Sequence, residues 1–200
     1  MGAVARDHFE RLYRADADPW RVASAWYERR KRGLLLAALR REHYRHAFEP
    51  GCGTGELTLS LARRCARVSA VDVAPSAVEH CRARLAGAGA DHVQVQVLDL
   101  PRQCPAPPPG GFDLVVLSEV AYYLDDAALA LFLRQVLASL ANDGEIVACH
   151  WRPDFDDRRQ PTDALHAAIG ALPGLVCKVH HEEDEFRLDA WCRQQEGSDS

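Results

Sequence analysis

Short apolar runs alternate with stretches of helical periodicity from about residue 45 onward. The apolar runs predict β-strands at about 46–50, 67–73, 92–98, 112–118 and 144–150. Strands that alternate with helices in this way are typical of a parallel sheet whose connections cross over its faces. The pattern therefore predicts an α/β fold.

Amphipathic stretches fill the intervals between these strands. Helices are predicted directly after the first strand, from Pro75, and over about 126–140, because apolar residues recur there at every third or fourth position. The third helix ends in ANDGE, a turn in which Gly144 can adopt a left-handed conformation. A further helix is predicted to begin at about Pro19, ahead of the first strand.

The C-terminal part of the chain departs from this alternation. Two extended runs, at about 175–181 and 186–192, flank the acidic turn 182–185 with no helix between them. Two strands joined by so short a connection pair in antiparallel fashion. We therefore expect a hairpin that closes an otherwise parallel sheet.

Composition narrows the class of protein. The chain has 200 residues, 48% of them hydrophobic and 26% charged, which suits one globular domain. Its formal net charge is -5 and its basic residues are scattered, so neither nucleic acid nor a membrane is an expected partner. Seven cysteines without a C-x-x-C pair predict buried thiols and no metal site. Since the N-terminal residues contain no apolar signal segment, a cytoplasmic location is predicted.

The stretch FEPGCGTGEL, residues 48–57, places Gly51, Gly53 and Gly55 within five positions. A dinucleotide site requires the spacing G-x-G-x-x-G, and Glu56 occupies the position of its third glycine. A carboxylate at that position would repel a pyrophosphate. The loop therefore favours a ligand that carries no phosphate.

This loop resembles the first motif of class I S-adenosylmethionine-dependent methyltransferases, and the order of elements is similar to their whole core. Within that class the chain resembles the nodulation protein S type of N-methyltransferase. The stretches that carry this resemblance are FERLYRADADPW (9–20), WYERRK (26–31), FEPGCGTGELT (48–58), LSEVAYYL (117–124), CHWR (149–152) and FRLDAW (186–191). It implies a single-domain Rossmann-like fold, with a seven-stranded, mostly parallel sheet, its last strand antiparallel, and helices on both faces.

The resemblance also implies how the domain, residues 1–200, is divided. An N-terminal helical lid or cap (1–45) would precede the core of sheet and helices (46–192) and a tail (193–200). In the resembling enzymes the N-terminal segment folds over the bound donor, so Trp20 and Tyr27 would close against it. The alternative for this helix is ordinary packing on the core.

Donor contacts are implied at the ends of the first strands. Asp72 would accept hydrogen bonds from both ribose hydroxyls, or else cap the helix at Pro75. Asp99 would accept a hydrogen bond from the adenine amino group, and its alternative is an Asx-turn before Pro101. Glu49 would face the methionine amine, and its alternative is a buried structural acid. The predicted donor-binding residues are Trp20, Tyr27, Glu49, Gly51, Cys52, Gly53, Thr54, Gly55, Asp72, Val73, Asp99, Leu100 and Ser118.

Acceptor chemistry is assigned to the loops after the fourth and fifth strands. The predicted catalytic residues are Glu119, His150 and Tyr122, with Glu119 and His150 orienting the acceptor and accepting its proton. The predicted substrate-binding residues are Tyr123, Trp151 and His166. The alternatives are core packing for a tyrosine, a structural role for His150, and a helix cap at 162–163 followed by a surface histidine.

The sequence thus predicts a methyltransferase that uses S-adenosyl-L-methionine, releases S-adenosyl-L-homocysteine and needs no metal. Its acceptor would be a small molecule, an amine nitrogen by resemblance, with an amino sugar as one candidate. Two alternatives stay open, a small-molecule O-methyltransferase with a base such as His150, and a catalytically silent donor-binding module. We expect a monomer or a weak homodimer.

Overall fold

A computed structural model describes residues 3–194 of the chain. The helices are α1 (Ala3–Ala15), α2 (Trp26–Ala38), α3 (Glu56–Ala62), α4 (Pro75–Gly87), α5 (Asp126–Ser139) and α6 (Thr162–Gly170), with a single 3₁₀ turn at Ala121–Tyr123. The strands are β1 (Ala47–Pro50), β2 (Val68–Asp72), β3 (Val93–Val97), β4 (Phe112–Ser118), β5 (Leu140–Trp151), β6 (Leu175–Glu182) and β7 (Phe186–Arg193). Most of the predicted tail, from residue 195 onward, lies outside the described residues.

The seven strands form one sheet in the order β3-β2-β1-β4-β5-β7-β6. Strands β1 to β5 are parallel, and β7 runs antiparallel to both β5 and β6. The predicted fold class and C-terminal hairpin are therefore confirmed. Because the strand order reverses between β1 and β4, the carboxyl ends of these two strands border the crevice in which such sheets bind ligands.

Both faces of the sheet are covered by helices, as predicted. Along β4, Leu114 and Val116 pack into the apolar cluster shared with α2, α3 and α4, while Val115 and Leu117 pack into the cluster shared with α5 and α6. Side chains alternate between the faces of a strand, so a strand buried on both faces reads as a continuous apolar run. This burial explains why β4 is recognisable in the sequence as an apolar run.

The start of β5 differs from the prediction. The strand begins at Leu140, where the chain leaves α5 directly in an extended conformation, and Leu140 pairs with Phe112 of β4. The predicted left-handed turn at Gly144 is therefore wrong, since this residue lies within the strand and has no positive φ. A Cβ atom on Gly144 would lie 2.7 Å from the Leu140 side chain, which explains the glycine by close packing.

The N-terminal segment also differs from the prediction. Helix α2 begins at Trp26 rather than at Pro19, and a separate helix, α1, precedes it. The Asp18 carboxylate accepts hydrogen bonds from the backbone amides of Val22 and Ala23, which stabilises a turn where a helix was expected. Among residues 3–194, no helix combines the length and the apolar character needed to span a bilayer.

Candidate active site

A cavity of about 530 Å³ lies at the carboxyl ends of β1, β2, β4 and β5. Helices α1 and α2 and the segment between them cover it, and the glycine loop, Asp72, Glu119 and Trp151 line it from the sheet. Its volume is in the range of sites for small ligands. The cavity therefore lies where the strand order predicts a ligand.

The three glycines of the loop all have positive φ angles, of 70°, 52° and 85°. A Cβ atom on Gly51 would lie 2.8 Å from Val120, and one on Gly53 would lie 2.8 Å from the Tyr13 hydroxyl. On Gly55 it would lie 2.7 Å from the sulfur of Cys81 in α4, and Gly55 does not line the cavity. Gly55 therefore has a packing role in place of the predicted donor contact. The absence of a side chain here lets α3 and α4 approach each other closely.

Asp72 fixes the conformation of the same loop. One carboxylate oxygen accepts from the backbone amide of Gly53 at 3.0 Å, and the other accepts from Ala74 at 2.9 Å. Burial raises the pKa of Asp72, although these backbone amides favour the ionised form. Asp72 therefore orders both the loop and the approach to α4, and it lines the cavity as the ribose contact requires.

Glu49 contributes a buried carboxyl group to the lining of the cavity. The side chain is 2% exposed, and its Oε2 has no hydrogen-bond partner among the residues that the structure describes. Burial raises its pKa to about 8, against a lowering by the Thr58 hydroxyl. The hydroxyl of Thr54 is buried and unpartnered within the same described range. Because buried polar groups are normally satisfied, these two atoms fit a ligand with polar groups of its own.

Most of the predicted donor residues come together in this cavity. The lining includes Trp20, Tyr27, Glu49, Gly51, Cys52, Gly53, Thr54, Asp72, Val73, Leu100 and Ser118. Asp99 does not line it, although its neighbours Leu98 and Leu100 do. The backbone amide of Asp99 donates to Gln103 and its carboxylate lies 3.8 Å from Arg102, so the described contacts of this residue lie in the loop after β3.

Glu119, at the end of β4, joins three elements around the cavity. Its Oε1 lies 2.6 Å from the Nζ of Lys31 in α2, and its Oε2 accepts from the Trp151 amide at 3.0 Å and from the Tyr122 hydroxyl. Glu119 also has a φ of 53°, a left-handed conformation that is unusual for a residue with a side chain. Such strain persists only when the surroundings enforce it, and it is common at functional sites.

Lys31 and Glu28 line the cavity but were missed in the sequence analysis. Lys31 is only 5% exposed, and its Nζ lies 3.0 Å from Glu28 as well as close to Glu119. Burial opposes the charge, but the two carboxylates outweigh it and raise the pKa of Lys31 above its usual value. In the run WYERRK no local signal distinguishes the one cation that turns inward from its exposed neighbours.

The predicted base His150 does not line the cavity. It is fully buried, and its Nδ1 lies 3.0 Å from the Nε2 of His166, whose Nδ1 lies 2.7 Å from Asp189. Burial lowers the pKa of His150 well below its usual value, so the ring is neutral. The geometry therefore corrects the assignment of His150 as a base in contact with the acceptor.

His166 is corrected in the same way. It is 1% exposed and does not line the cavity, so it is neither a substrate contact nor a surface histidine. The predicted cap at 162–163 is also wrong, because Pro161 occupies the cap position and the Thr162 hydroxyl donates to the Trp151 carbonyl. Buried polar groups of this kind need partners, and His166 has them in Asp189 and His150.

Aromatic rings line the cavity beside Glu119. The Tyr122 ring lies 5.1 Å from the Phe155 ring, and the Tyr27 ring lies 5.6 Å from the Trp151 ring, both edge to face. The predicted substrate residues Tyr123 and Trp151 line the cavity here. Such rings supply apolar area and polar edges together, which suits a small organic acceptor.

Known proteins share both this sequence pattern and this fold. The sequence profile of the methyltransferase domain matches residues 47–144. Nodulation protein S from Rhizobium tropici is 33% identical over 186 residues, which cover 91% of this chain and 76% of that protein. Nodulation protein S from Sinorhizobium fredii is 35% identical over 135 residues, and the match covers 66% of this chain and 60% of that relative's length.

Solved structures of methyltransferases share the fold of this chain. A candidate methyltransferase from Pseudomonas syringae is 44% identical, with a TM-score of 0.72, and the match covers 84% of this chain and 100% of that one. The N-methyltransferase NodS from Bradyrhizobium japonicum WM9, in complex with S-adenosyl-L-homocysteine, shares the fold with a TM-score of 0.81 at 24% identity, over 94% and 97% of the two chains. Fold and site thus define an S-adenosylmethionine-dependent methyltransferase that acts on a small molecule. The chain belongs to the nodulation protein S family of these enzymes.

Replacing Asp72 tests the donor site. In Asp72→Ala we expect the affinity for S-adenosyl-L-homocysteine to fall by about 2–4 kcal/mol, because a charged acceptor of two hydrogen bonds is lost and the loop is freed. Calorimetry measures the change, and Asp163→Ala, outside the cavity, should bind as the wild type does. Unchanged affinity in a folded Asp72→Ala would remove the ribose assignment, and saturable binding of NADH would reopen the dinucleotide alternative.

The pH dependence of donor binding tests Glu49. Its pKa of about 8 in the free protein means that the carboxyl is mostly protonated below that pH. If the donor's ammonium group binds the carboxylate, affinity for S-adenosyl-L-homocysteine rises with pH from about 6 to 8, by up to about tenfold per unit. Calorimetric titrations across this range should show the slope in the wild type and lose it in Glu49→Gln. An equal slope in both proteins would assign the dependence to another group.

Proposed function

We propose that this methyltransferase acts on the nitrogen of a small-molecule amine, with a free amino group on a sugar as one candidate acceptor. The observation that carries the proposal is the charge at the acceptor end of the cavity. The carboxylates of Glu28 and Glu119 line it there, between the aromatic rings. Carboxylates and aromatic faces both attract a cationic amine and give no advantage to a neutral or anionic acceptor.

The reaction requires the protein mainly to align the donor with the acceptor, and it requires no covalent bond to the protein. S-adenosyl-L-methionine, when bound, supplies a methyl group on a positively charged sulfur that is already a good leaving group. Asp72 and Glu49 are positioned to hold the donor, while Tyr122 and Glu119 are positioned to orient the acceptor. The covering helices exclude water from the reacting groups.

The alternatives receive less support. An O-methyltransferase needs a base beside the acceptor hydroxyl, whereas His150 lies outside the cavity and burial lowers its pKa. A silent donor-binding module would have a blocked acceptor pocket, whereas the cavity continues from Asp72 to Trp151. Amine methylation is therefore the function that fits the acceptor end of the cavity.

We also propose that the N-terminal segment is a lid. Helix α1 is held over the cavity by a small number of polar contacts, in which the Glu10 carboxylate accepts from the Ser76 amide at 3.0 Å and His8 lies 3.0 Å from Asp157. The Phe9 ring contacts the Tyr123 ring at 4.9 Å. Phe9 and Tyr13 also belong to a small apolar cluster, separate from the two large clusters on the faces of the sheet. A helix held by an interface of this size can open to admit ligands and close to exclude water.

Hydrogen exchange tests the lid. Residues 3 to about 30 should exchange quickly in the free protein and become protected when S-adenosyl-L-homocysteine binds, because Trp20 and Tyr27 line the cavity. Amides of β4, in the centre of the sheet, provide the internal control and should be protected in both states. Equal protection of α1 with and without the ligand would mean a permanent structural helix.

A screen of acceptors by mass shift tests the amine assignment. The panel pairs free amines, including deacetylated chitooligosaccharides, with their N-acetylated and hydroxyl analogues. We expect methyl transfer to members that carry a free amino group and none to their matched partners, because only the amine offers a cation and then a nucleophilic nitrogen. Methylation of hydroxyl members alone would overturn the proposed function, and transfer to other amines but to no amino sugar would reject the sugar.

A further inference from the structure

The Lys31 ammonium group occupies an enclosed site at the edge of the cavity. Its Nζ lies 2.6 Å from Glu119 Oε1, 3.0 Å from Glu28 Oε1 and 5.1 Å from the centre of the Tyr27 ring. All four residues line the cavity. We call the group formed by Tyr27, Glu28 and Glu119 the ammonium box.

The ammonium box has the chemistry that recognises an alkylammonium ion. Two carboxylates supply charge-assisted hydrogen bonds, and an aromatic face supplies a cation–π contact. The chain also uses arginine for nearly all its basic positions, since Lys31 and Lys178 are the only lysines among 24 lysine and arginine residues. A compact ammonium group therefore occupies this site in a chain that otherwise presents planar guanidinium groups.

The charges and contacts of the ammonium box leave capacity for a ligand. Two carboxylates face one lysine, so the group carries one negative charge beyond what Lys31 balances. Glu28 uses Oε1 for Lys31, and its Oε2 accepts no hydrogen bond from residues 3–194. The Tyr27 hydroxyl is buried and likewise unpartnered in the described part of the chain. These polar atoms of the box are therefore available to form hydrogen bonds with a ligand.

Exchange of one ammonium group for another avoids the main cost of opening such a site. Removing the lysine alone would leave two partly buried carboxylates without their cation, which is unfavourable. An incoming ammonium group replaces the same charge and the same hydrogen bonds. Lysine has a long, flexible stem, so its head group can move while α2 keeps its place.

We propose that the ammonium box binds the amino group of the acceptor, and that Lys31 is a resident cation which leaves the box when the acceptor enters. This inference rests on the proposed amine acceptor and deepens it. It assigns Glu28 as a residue that determines specificity for a cationic group. The box then selects alkylammonium ions over neutral and anionic compounds of the same shape.

Removal of the resident cation tests the proposal without catalysis. Lys31→Met keeps the length of the stem and leaves the box without its ammonium group. Propylammonium chloride, at about ten times its dissociation constant, should then raise the unfolding midpoint of Lys31→Met by about 3–6 °C relative to sodium chloride at equal ionic strength. The shift should be far smaller in the wild type and should be lost in the Glu28→Gln, Lys31→Met double variant.

Arg30→Met is the matched control, because it removes the same charge from the neighbouring position of α2, where Arg30 pairs with Glu183 outside the cavity. It should show no shift from propylammonium beyond that of the wild type. Equal shifts in Arg30→Met and Lys31→Met, or none in Lys31→Met, would overturn the proposal.

Labelling of the wild type gives a second test, which also applies if Lys31→Met does not fold. Lys178 is exposed and Lys31 is buried, so an amine acetylating reagent should modify Lys178 first. Dimethylpropylammonium, which forms no stable amide, should accelerate labelling of Lys31 and leave that of Lys178 unchanged. If the added ammonium ion did not change the rate at which Lys31 is labelled, the displacement of Lys31 from the box would be contradicted. Neither readout needs methyl transfer, so failure here and failure of the acceptor screen are separate results.

Discussion

The turn from β1 into α3 passes between Val120, Tyr13 and Cys81 so closely that its three glycines leave no room for a Cβ atom. The backbone takes left-handed conformations there, and the Asp72 carboxylate holds it through the Gly53 amide. The remaining features of the donor site depend on this turn. It sets the start of α3 and the space above the strand ends.

Glu119 has a comparable role at the end of β4. Its carboxylate links α2, the 3₁₀ turn and β5, and the residue adopts a strained backbone conformation. The contact with Lys31 crosses from the N-terminal segment to the sheet and so joins Glu119 to a helix that covers the cavity. Under the proposed exchange of Lys31 for the acceptor, this contact would be replaced while Leu35 keeps α2 packed on the core.

A third buried polar group stabilises the C-terminal hairpin. Asp189 of β7 accepts from His166 at 2.7 Å and from Arg187 at 2.7 Å, and bonds His180 at 2.6 Å. Burial opposes its ionised form, yet these three partners lower the pKa of Asp189 to about 2. Buried hydrogen bonds around one carboxylate of this kind help to fix one arrangement of a core. The histidines at 150 and 166 thus belong to the packing of β5, α6 and β7.

The order of strands and helices, the glycine loop and the C-terminal hairpin could be predicted from the sequence, because they leave local signals. A strand buried on both faces is a continuous apolar run, and a left-handed turn needs glycine. The positions of the strand ends, together with the resemblance to known methyltransferases, identified donor residues most of which line the cavity. The resemblance to known methyltransferases supplied their roles.

Only the tertiary structure showed that Lys31 and Glu28 face the cavity and that Asp99 does not. Lys31 and Glu119 are 88 positions apart, and their contact depends on how α2 packs across the strand ends. His150 was assigned to the cavity because it lies at the end of a strand, and His166 because its segment resembles part of an acceptor pocket, but β5 directs His150 to the opposite layer, against His166 of α6. A one-dimensional pattern shows that a residue is charged and where its element begins. The direction of its side chain is set by packing between distant elements, which is not encoded in any short stretch.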